Sequence, residues 1–356
     1  MSEKQCTALV TEAASDGGSA TLVKKLIPVP TPAPNQALVK ISHIAQNPTD
    51  VQSLDSNAFG DGAVLGCDFV GTVEETGSQV ERLQKGDTVA GLIWGGELPR
   101  AGEIKGLGGY SEYTVADDKI SFKVPSNITP EEAATLPLAS MTAWLALFFK
   151  DCLNIPRDSR SDTSVLIWGG SSSVGLYGIQ IAALHGFKVI TTCSPRHFDL
   201  VKRLGAAHAF NYCEVDVVDH IKKAAPGIEY VFDTIGNELS SSLASLAIGE
   251  NGGTLCTVRP GKAHTAGVTK RTKVTDVLVW TAFLKDHRYG SFHWPAHEAD
   301  HKLGAEFFEK LPRWVEVGKI KPNTPKVIPG GLDGVPKGFQ EYRDGSISAT
   351  KLVYKL

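Results

Sequence analysis

Eleven consecutive residues carry the plainest chemical signal in the chain: Val165-Leu166-Ile167-Trp168-Gly169-Gly170-Ser171-Ser172-Ser173-Val174-Gly175. An apolar run of strand type passes through small residues and opens directly into a helical pattern. Small residues let the backbone approach a pyrophosphate, and a helix start offers free N–H groups and the positive end of a dipole. The spacing is a degenerate G-x-G-x-x-G, with Ser172 and Ser173 where glycines are usual. No Gly-x-Ser-x-Gly frame fits, so a nucleophile elbow is excluded. About 20 residues on, an acid would hold the ribose 2′-hydroxyl of NAD. The chain has Thr192-Cys193-Ser194-Pro195-Arg196-His197 there, with no acid before Asp199. Ser194, Arg196 and His197 can donate to a 2′-phosphate instead, which favours NADPH over NADH.

Two further groupings could do chemistry. His293, His297 and His301 are spaced four apart, with Glu298 and Asp300 nearby, and on one helix they would share a face able to hold a metal. Trp294-Pro295 interrupts any such helix, since proline removes a donor and clashes one turn back, so an exposed, unliganded loop is expected. Lys270-Arg271-Thr272-Lys273 is a short basic cluster. A solvated loop is its plain reading, and docking of an acidic partner its functional one.

The elements that must position these residues change texture near residue 125. Before it, short alternating segments are broken by turn residues: 36–41 as a half-buried strand, 28–35 with four prolines as a connector, then 66–73 and 86–90 as turn-then-strand units. This part is expected to be all-β and barrel-like. Thr129-Pro130-Glu131-Glu132 is a helix start, with a Thr cap, Pro at the first position and acids in the first turn. A nearly apolar helix follows Pro137. Strand and helix patterns then alternate: strands at 164–168, 188–192, 207–211, 228–234 and 253–258, with helices at 174–185 and 197–204 and a Ser/Ala/Leu helix before the last strand. Repeated β-α-β with short links makes a parallel, doubly wound sheet. Beyond residue 300, a helix through Phe307, Leu311 and Val315 leads to short strands that return to the first domain.

Composition excludes several classes. The 356 residues are 42% hydrophobic and 21% charged, which rules out a disordered chain. A formal net charge of −3 argues against a protein that works by neutralising phosphates of nucleic acid. Six dispersed cysteines do not make a disulfide scaffold. No apolar run approaches the ~20 residues of a membrane span, and Met1-Ser2-Glu3-Lys4-Gln5 lacks the apolar region of a secretory signal, so a cytoplasmic location is expected.

The order of these parts resembles the medium-chain dehydrogenase/reductase superfamily. The signposts are Asn47-Pro48-Thr49-Asp50, residues 66–71, Lys85-Gly86-Asp87-Thr88-Val89, Gly109-Tyr110-Ser111-Glu112-Tyr113 and Leu136-Pro137, and they cover nearly the whole chain. Within it the chain is most similar to fungal trans-acting enoyl reductases of polyketide synthesis, the lovastatin enoyl reductase type. The match is closest over Thr192-Cys193-Ser194-Pro195 through His197-Phe198-Asp199-Leu200, with Gly169-Gly170-Ser171 ahead of it. The resemblance implies an α/β chain with a GroES-like, partly open barrel catalytic domain over 1–130 and 301–356, and a Rossmann NADPH-binding domain over 131–300. It implies cofactor contacts at Asn47-Pro48-Thr49-Asp50, Ser171-Ser172-Ser173-Val174, Ser194-Pro195-Arg196-His197, Tyr212, Val258-Arg259 and Ile347-Ser348. It also implies an acyl-substrate pocket along Thr142-Ala143-Trp144-Leu145-Ala146-Leu147-Phe148-Phe149 and Trp280-Thr281-Ala282-Phe283-Leu284. Both stretches are strongly apolar, and core packing is the plain alternative.

Zinc-dependent members carry a Cys near residue 47, Gly-His-Glu where this chain has Gly66-Cys67-Asp68, and a third ligand near Leu138. Here the three positions are Asn, Cys and Leu, and one thiol cannot hold a zinc that needs three or four ligands. The four closely spaced cysteines of the structural zinc lobe are also missing, so no metal is expected. Without a Lewis acid, hydride transfer to an activated alkene becomes the expected chemistry, with donors stabilising the resulting enolate. Mitochondrial enoyl-thioester reductases use a tyrosine shortly after the Asn-Pro-x-Asp stretch, but residues 51–62 contain none. The proton source stays open between Thr142, another hydroxyl and water.

Three functions compete. The first is a trans-acting enoyl reductase acting on a carrier-bound or small-molecule acyl substrate, as a monomer, beside the acyl carrier domain of a polyketide synthase. The second is a stand-alone quinone, enone or aldehyde reductase of the same fold. The third is an idle scaffold or nucleic-acid binder, against which the intact phosphate turn and the acidic balance both count.

Overall fold

The computed structural model describes residues 4–13, 19–94, 108–158, 163–289 and 292–356. These form two compact units, one of residues 1–138 with 280–356 and one of residues 139–279. No described helix is long and apolar enough to cross a membrane.

The first unit begins with an antiparallel pair, β1 (Gln5–Glu12) and β2 (Thr21–Pro28). β3 (Gln36–Ala45) leads into α1 (Pro48–Asp55), followed by β4 (Asp68–Thr76), β5 (Thr88–Leu92), β6 (Tyr113–Asp117) and β7 (Ser121–Lys123). The all-β expectation for this part fails at α1. Pro48 pre-sets the first helical φ, and the Asp50 carboxylate accepts the Asn47 N–H at 2.7 Å, so Asn-Pro-x-Asp is itself a helix start. Gly71 of β4 is required by close approach, since a Cβ there would lie 2.2 Å from the Lys40 carbonyl of β3. α2 (Pro130–Ala134) is capped as its sequence foretells: the Thr129 hydroxyl accepts the Glu132 N–H at 3.2 Å and the Glu132 carboxylate accepts the Thr129 N–H at 2.8 Å.

The division of the chain falls in the first turn of α3 (Pro137–Phe148). The second unit then alternates β8 (Ser164–Trp168), α4 (Ser173–Leu184), β9 (Lys188–Thr192), α5 (Phe198–Arg203), β10 (Ala206–Phe210), α6 (Val217–Ala224), β11 (Tyr230–Asp233), α7 (Glu238–Leu246), β12 (Gly253–Thr257) and β13 (Thr272–Asp276). All six strands are parallel, in the order β10-β9-β8-β11-β12-β13. That is the doubly wound order whose direction reverses between β8 and β11, and such sheets bind ligands at the carboxyl ends of the strands beside the reversal. Leu166, Ile190, Val231 and Leu255 are buried on successive strands and form one continuous core with α6 and α7.

After residue 279 the chain rejoins the first unit through β14 (His287–Tyr289), β15 (Phe292–Trp294), α8 (Glu298–Glu316), β16 (Thr324–Ile328), α9 (Val335–Arg343) and β17 (Thr350–Lys355). β17 pairs antiparallel with β3 and parallel with β16, completing a seven-stranded sheet. The unit boundaries thus lie at 138/139 and 279/280 instead of 130/131 and 300/301. Contacts within the first unit explain both shifts. Glu131 of α2 lies 3.3 Å from His43 of β3, and the Leu138 N–H donates to Asp68 of β4 at 2.7 Å. At the second boundary, Trp280 packs on Trp94 with ring centroids 5.0 Å apart. Replacing Thr129 by Ala is expected to lower stability by about 1 kcal/mol, read as a shift of the urea unfolding midpoint with unchanged sheet content by circular dichroism.

Candidate active site

The turn of small residues after β8 is tightly packed. Gly169 leaves β8 at φ 86°, a conformation L side chains rarely adopt. Its N–H donates to the Thr192 hydroxyl at 3.1 Å, and the Gly170 N–H donates to the Thr192 carbonyl at 2.8 Å, tying the turn to the end of β9. A Cβ on Gly170 would lie 2.0 Å from the Thr191 hydroxyl, and one on Gly175 would lie 2.4 Å from the Gly169 carbonyl. Ser172 caps α4 by accepting the Gly175 N–H at 2.9 Å. Its hydroxyl is also 2.8 Å from that of Thr234, which itself donates to the Trp168 or Gly169 carbonyl. Ser171, Ser172, Ser173 and Val174 are each partly exposed at this corner.

The remaining residues assigned to the cofactor in this unit all follow carboxyl ends of the same sheet. Ser194 opens a short 3₁₀ turn after β9, Pro195–His197, in which Arg196 is exposed and His197 half-buried. Burial and then the Arg196 charge hold His197 below its ordinary pKa. Cys193 is buried, which pushes its thiol up to about 11 and leaves it protonated. Tyr212 follows β10 and is exposed, and Val258-Arg259 follow β12. The Arg259 guanidinium donates to the Gly236 carbonyl at 3.0 Å. The sequence reading missed the residue that shapes this side of the corner. Asp233, fully buried at the end of β11, accepts the N–H groups of Ile235 and Gly236 at 3.0 Å and the hydroxyls of Ser240 and Ser241 at 2.8 Å. An Asp-Thr at a strand end, with paired serines seven residues on, is the signal that could have found it.

Asn47-Pro48-Thr49-Asp50 and Ile347-Ser348 belong to the first unit, at the start of α1 and just before β17. Asp50 is buried beneath three donors: the Asn47 N–H, the Tyr110 hydroxyl at 3.0 Å and the Cys67 thiol at 3.2 Å. Burial raises its pKa from 3.8 to about 6 despite the Asn47 bond. Burial, reinforced by Asp50, holds Cys67 and Tyr110 well above their ordinary values. Asp50, Ser53, Phe59, Cys67 and Trp94 line a cavity of about 20 Å³, room for about one water.

Of the two apolar stretches, Trp280-Thr281-Ala282-Phe283-Leu284 lies in the first unit. Trp280 packs between Trp94, tilted against it, and Trp294, edge-on to it, with both pairs of ring centroids 5.0 Å apart, Thr281 bonds Asp300, and Leu284 is exposed. Thr142-Ala143-Trp144-Leu145-Ala146-Leu147-Phe148 are buried along α3, and Phe149 follows it half-buried. Trp144 and Phe148 pack on each other at 4.6 Å and on His185, so core packing accounts for those two rings.

The donors at the three zinc positions do not match a zinc centre. Cys67 is engaged by Asp50, while Asp68 holds the Lys351 ammonium at 2.7 Å, and a single thiol beside an ammonium is no zinc shell. His293, His297 and His301 do not form the single loop expected. His293 sits in β15, His297 caps α8, and His301 lies in its first turn, with its ring nitrogen 2.8 Å from the Ala282 carbonyl. Pro295 does keep the three off one helix. The basic cluster is likewise less free than a loop: Arg271 donates to the Leu246 and Ile248 carbonyls, and Thr272 and Lys273 begin β13.

Residues 33–126 match the family described as alcohol dehydrogenase GroES-like domain, and residues 173–276 the family described as zinc-binding dehydrogenase. The chain belongs to the medium-chain dehydrogenase/reductase superfamily and is an oxidoreductase. It is 34% identical over 336 residues to a trans-enoyl reductase of Alternaria alternata, covering 93% of this chain and 94% of that one. It is also 34% identical over 354 residues to a zinc-type alcohol dehydrogenase-like protein of Schizosaccharomyces pombe, covering 96% and 98%. The solved structure of an alcohol dehydrogenase superfamily protein from Novosphingobium aromaticivorans has the same fold, with a TM-score of 0.76 at 24% identity over 99% of both chains.

The buried carboxyl of Asp50 gives stability a definite pH dependence. Below about pH 4 it is neutral in both the folded and unfolded chain, and between about pH 4 and 6 only the folded chain keeps the proton. Stability therefore falls as pH rises through that window, by about 3 kcal/mol from this group. Asp50→Asn keeps an oxygen for the Asn47 and Tyr110 donors and removes the titration. Urea unfolding at pH 4 and pH 7 is expected to show the variant gaining on the parent protein across that interval.

Proposed function

We propose that the protein is an NADPH-dependent, zinc-independent trans-acting enoyl reductase that reduces the α,β-double bond of a polyketide acyl thioester in fungal secondary metabolism. The observation that carries the reading is the Gly169–Gly175 corner at the reversal of a six-stranded parallel sheet, with Arg196 and no acid at the end of the neighbouring strand. Full-length similarity to a fungal trans-enoyl reductase supports the substrate class. When bound, NADPH supplies the hydride that goes to the β-carbon of the alkene.

The residues themselves bind and orient. The backbone after Gly169 and the first N–H groups of α4 hold the pyrophosphate, and Ser194, Arg196 and His197 hold the 2′-phosphate. Asn47-Pro48-Thr49-Asp50, Tyr212, Val258-Arg259 and Ile347-Ser348 contact the rest of the cofactor. For the acyl tail the candidates are Thr142, with the rings of Trp144 and Phe148 left to the core, and Trp280 with its neighbours. For the proton at the α-carbon the candidates remain Thr142, another hydroxyl and water, so positioning carries most of the rate. With Arg271 engaged by carbonyls, the exposed charges left for a carrier domain at that cluster are those of Lys270 and Lys273.

A stand-alone reductase of quinones, enones or aldehydes is the second reading, favoured by the equal identity to the S. pombe alcohol dehydrogenase-like protein. NADPH oxidation with an N-acetylcysteamine or carrier-tethered enoyl thioester, run beside a simple quinone, separates the two. We expect the thioester to be turned over faster, to the saturated product by mass spectrometry, and unaffected by EDTA. Faster quinone turnover rejects the enoyl reductase, and zinc-restored loss in EDTA rejects zinc independence. Arg196→Ala is expected to raise the KM for NADPH about tenfold or more and leave that for NADH unchanged, as loss of one charge-assisted hydrogen bond requires.

A further inference from the structure

Lys351 and Asp68 are buried to 2% and 0% exposure in the first unit, where a charge is costly unless fully paired. The Lys351 ammonium donates at 2.7 Å both to Asp68 and to the side-chain carbonyl of Asn47. The Asn47 amide nitrogen in turn donates to the same Asp68 oxygen at 2.8 Å, and the other Asp68 oxygen accepts the Leu138 N–H. Both ends of the Asn47 amide are thereby fixed. The pairing of β17 with β3 and β16 is already set by backbone ladders, so strand register alone does not call for this ion pair. What the ammonium adds is a fixed positive charge among two buried carboxylates, Asp50 and Asp68, and a donor that sets the plane of one amide at the head of α1.

We infer that Lys351 is the resident cation of this centre and the positioning residue of Asn47, neutralising Asp68 and setting the plane of the Asn47 amide at the head of α1, on which the proposed cofactor contacts of residues 47–50 depend. The cofactor half of this inference rests on the proposed function; the charge half does not. Three full-length proteins test it: the parent, Lys351→Met, and the double variant Lys351→Met with Asp68→Asn. Thermal unfolding reads the charge, and quenching of protein fluorescence by NADPH reads Asn47.

Lys351→Met leaves a buried carboxylate unpaired and is expected to lower Tm by about 10 °C. The double variant removes both charges and is expected to return to within a few degrees of the parent. Its Kd for NADPH is nevertheless expected to stay about tenfold raised, with kcat within a factor of two, because the Asn47 carbonyl has lost its donor. A double variant as unstable as the single one overturns the resident cation. A double variant that is stable and binds NADPH like the parent overturns the positioning role. A parent protein that binds no dinucleotide rejects the proposed function instead, and the Tm comparison still decides the charge.

Discussion

Lys351 and Asp68 lie 283 residues apart in the chain, and their contact is where the first unit closes on itself. Everything around it is arranged so that neither charge lacks a partner. β3 ends beside it and hands the chain to α1, β4 begins with its carboxylate, the first turn of α3 supplies a backbone N–H, and the last strand supplies the ammonium. Because an isolated charge at that depth would cost far more than any single apolar contact contributes, four distant parts of the sequence must arrive together. Asp50 and Cys67, one residue from Asp68, then line the small cavity beside Trp94.

In the second unit the governing constraint is steric. The turn after β8 crosses Thr191 and then doubles back on the Gly169 carbonyl so closely that positions 170 and 175 have no room for a Cβ. The same crowding leaves backbone N–H groups at the surface of the corner, where side chains would otherwise cover them. A surface of that kind recognises an anion by its shape and charge, and the sheet order puts it at the point where helices leave in opposite directions.

How much of this was legible in the sequence follows the range of the interactions involved. The strands at 164–168 and 188–192 are found at those bounds because buried parallel strands read as continuous apolar runs. The α2 start was legible because its cap is local. α1 escaped although Asn-Pro-x-Asp is equally local, since the surrounding alternation suggested strands. β13 escaped because Val274 is its one apolar residue over 272–276 and tertiary packing decides it, whereas α6 escaped although Val217, Val218, Ile221 and Ala224 keep a helical spacing. Within the site, the turn and the strand end at 192–197 could be read from spacing, whereas Tyr212 and Val258-Arg259 came only from the family resemblance. Lys351 could not: a single lysine in a C-terminal strand looks like an exposed one until its partners at 47 and 68 are known. The domain boundaries differ for a similar reason, because residues 280–300 carry no strong periodicity and are claimed by the packing of Trp280 on Trp94.

The Cys67 thiol has a consequence of its own. Electron-poor alkenes are alkylating agents, and it is the thiolate of a cysteine that adds to them. Cys67 borders the cavity, yet burial and the Asp50 carboxylate keep its sulfur protonated, with the S–H directed into a hydrogen bond. A protein proposed to handle conjugated thioesters thus carries a sulfur in its interior in the form least prone to react with them. Burial does most of this, and the Asp50 carboxylate adds to it.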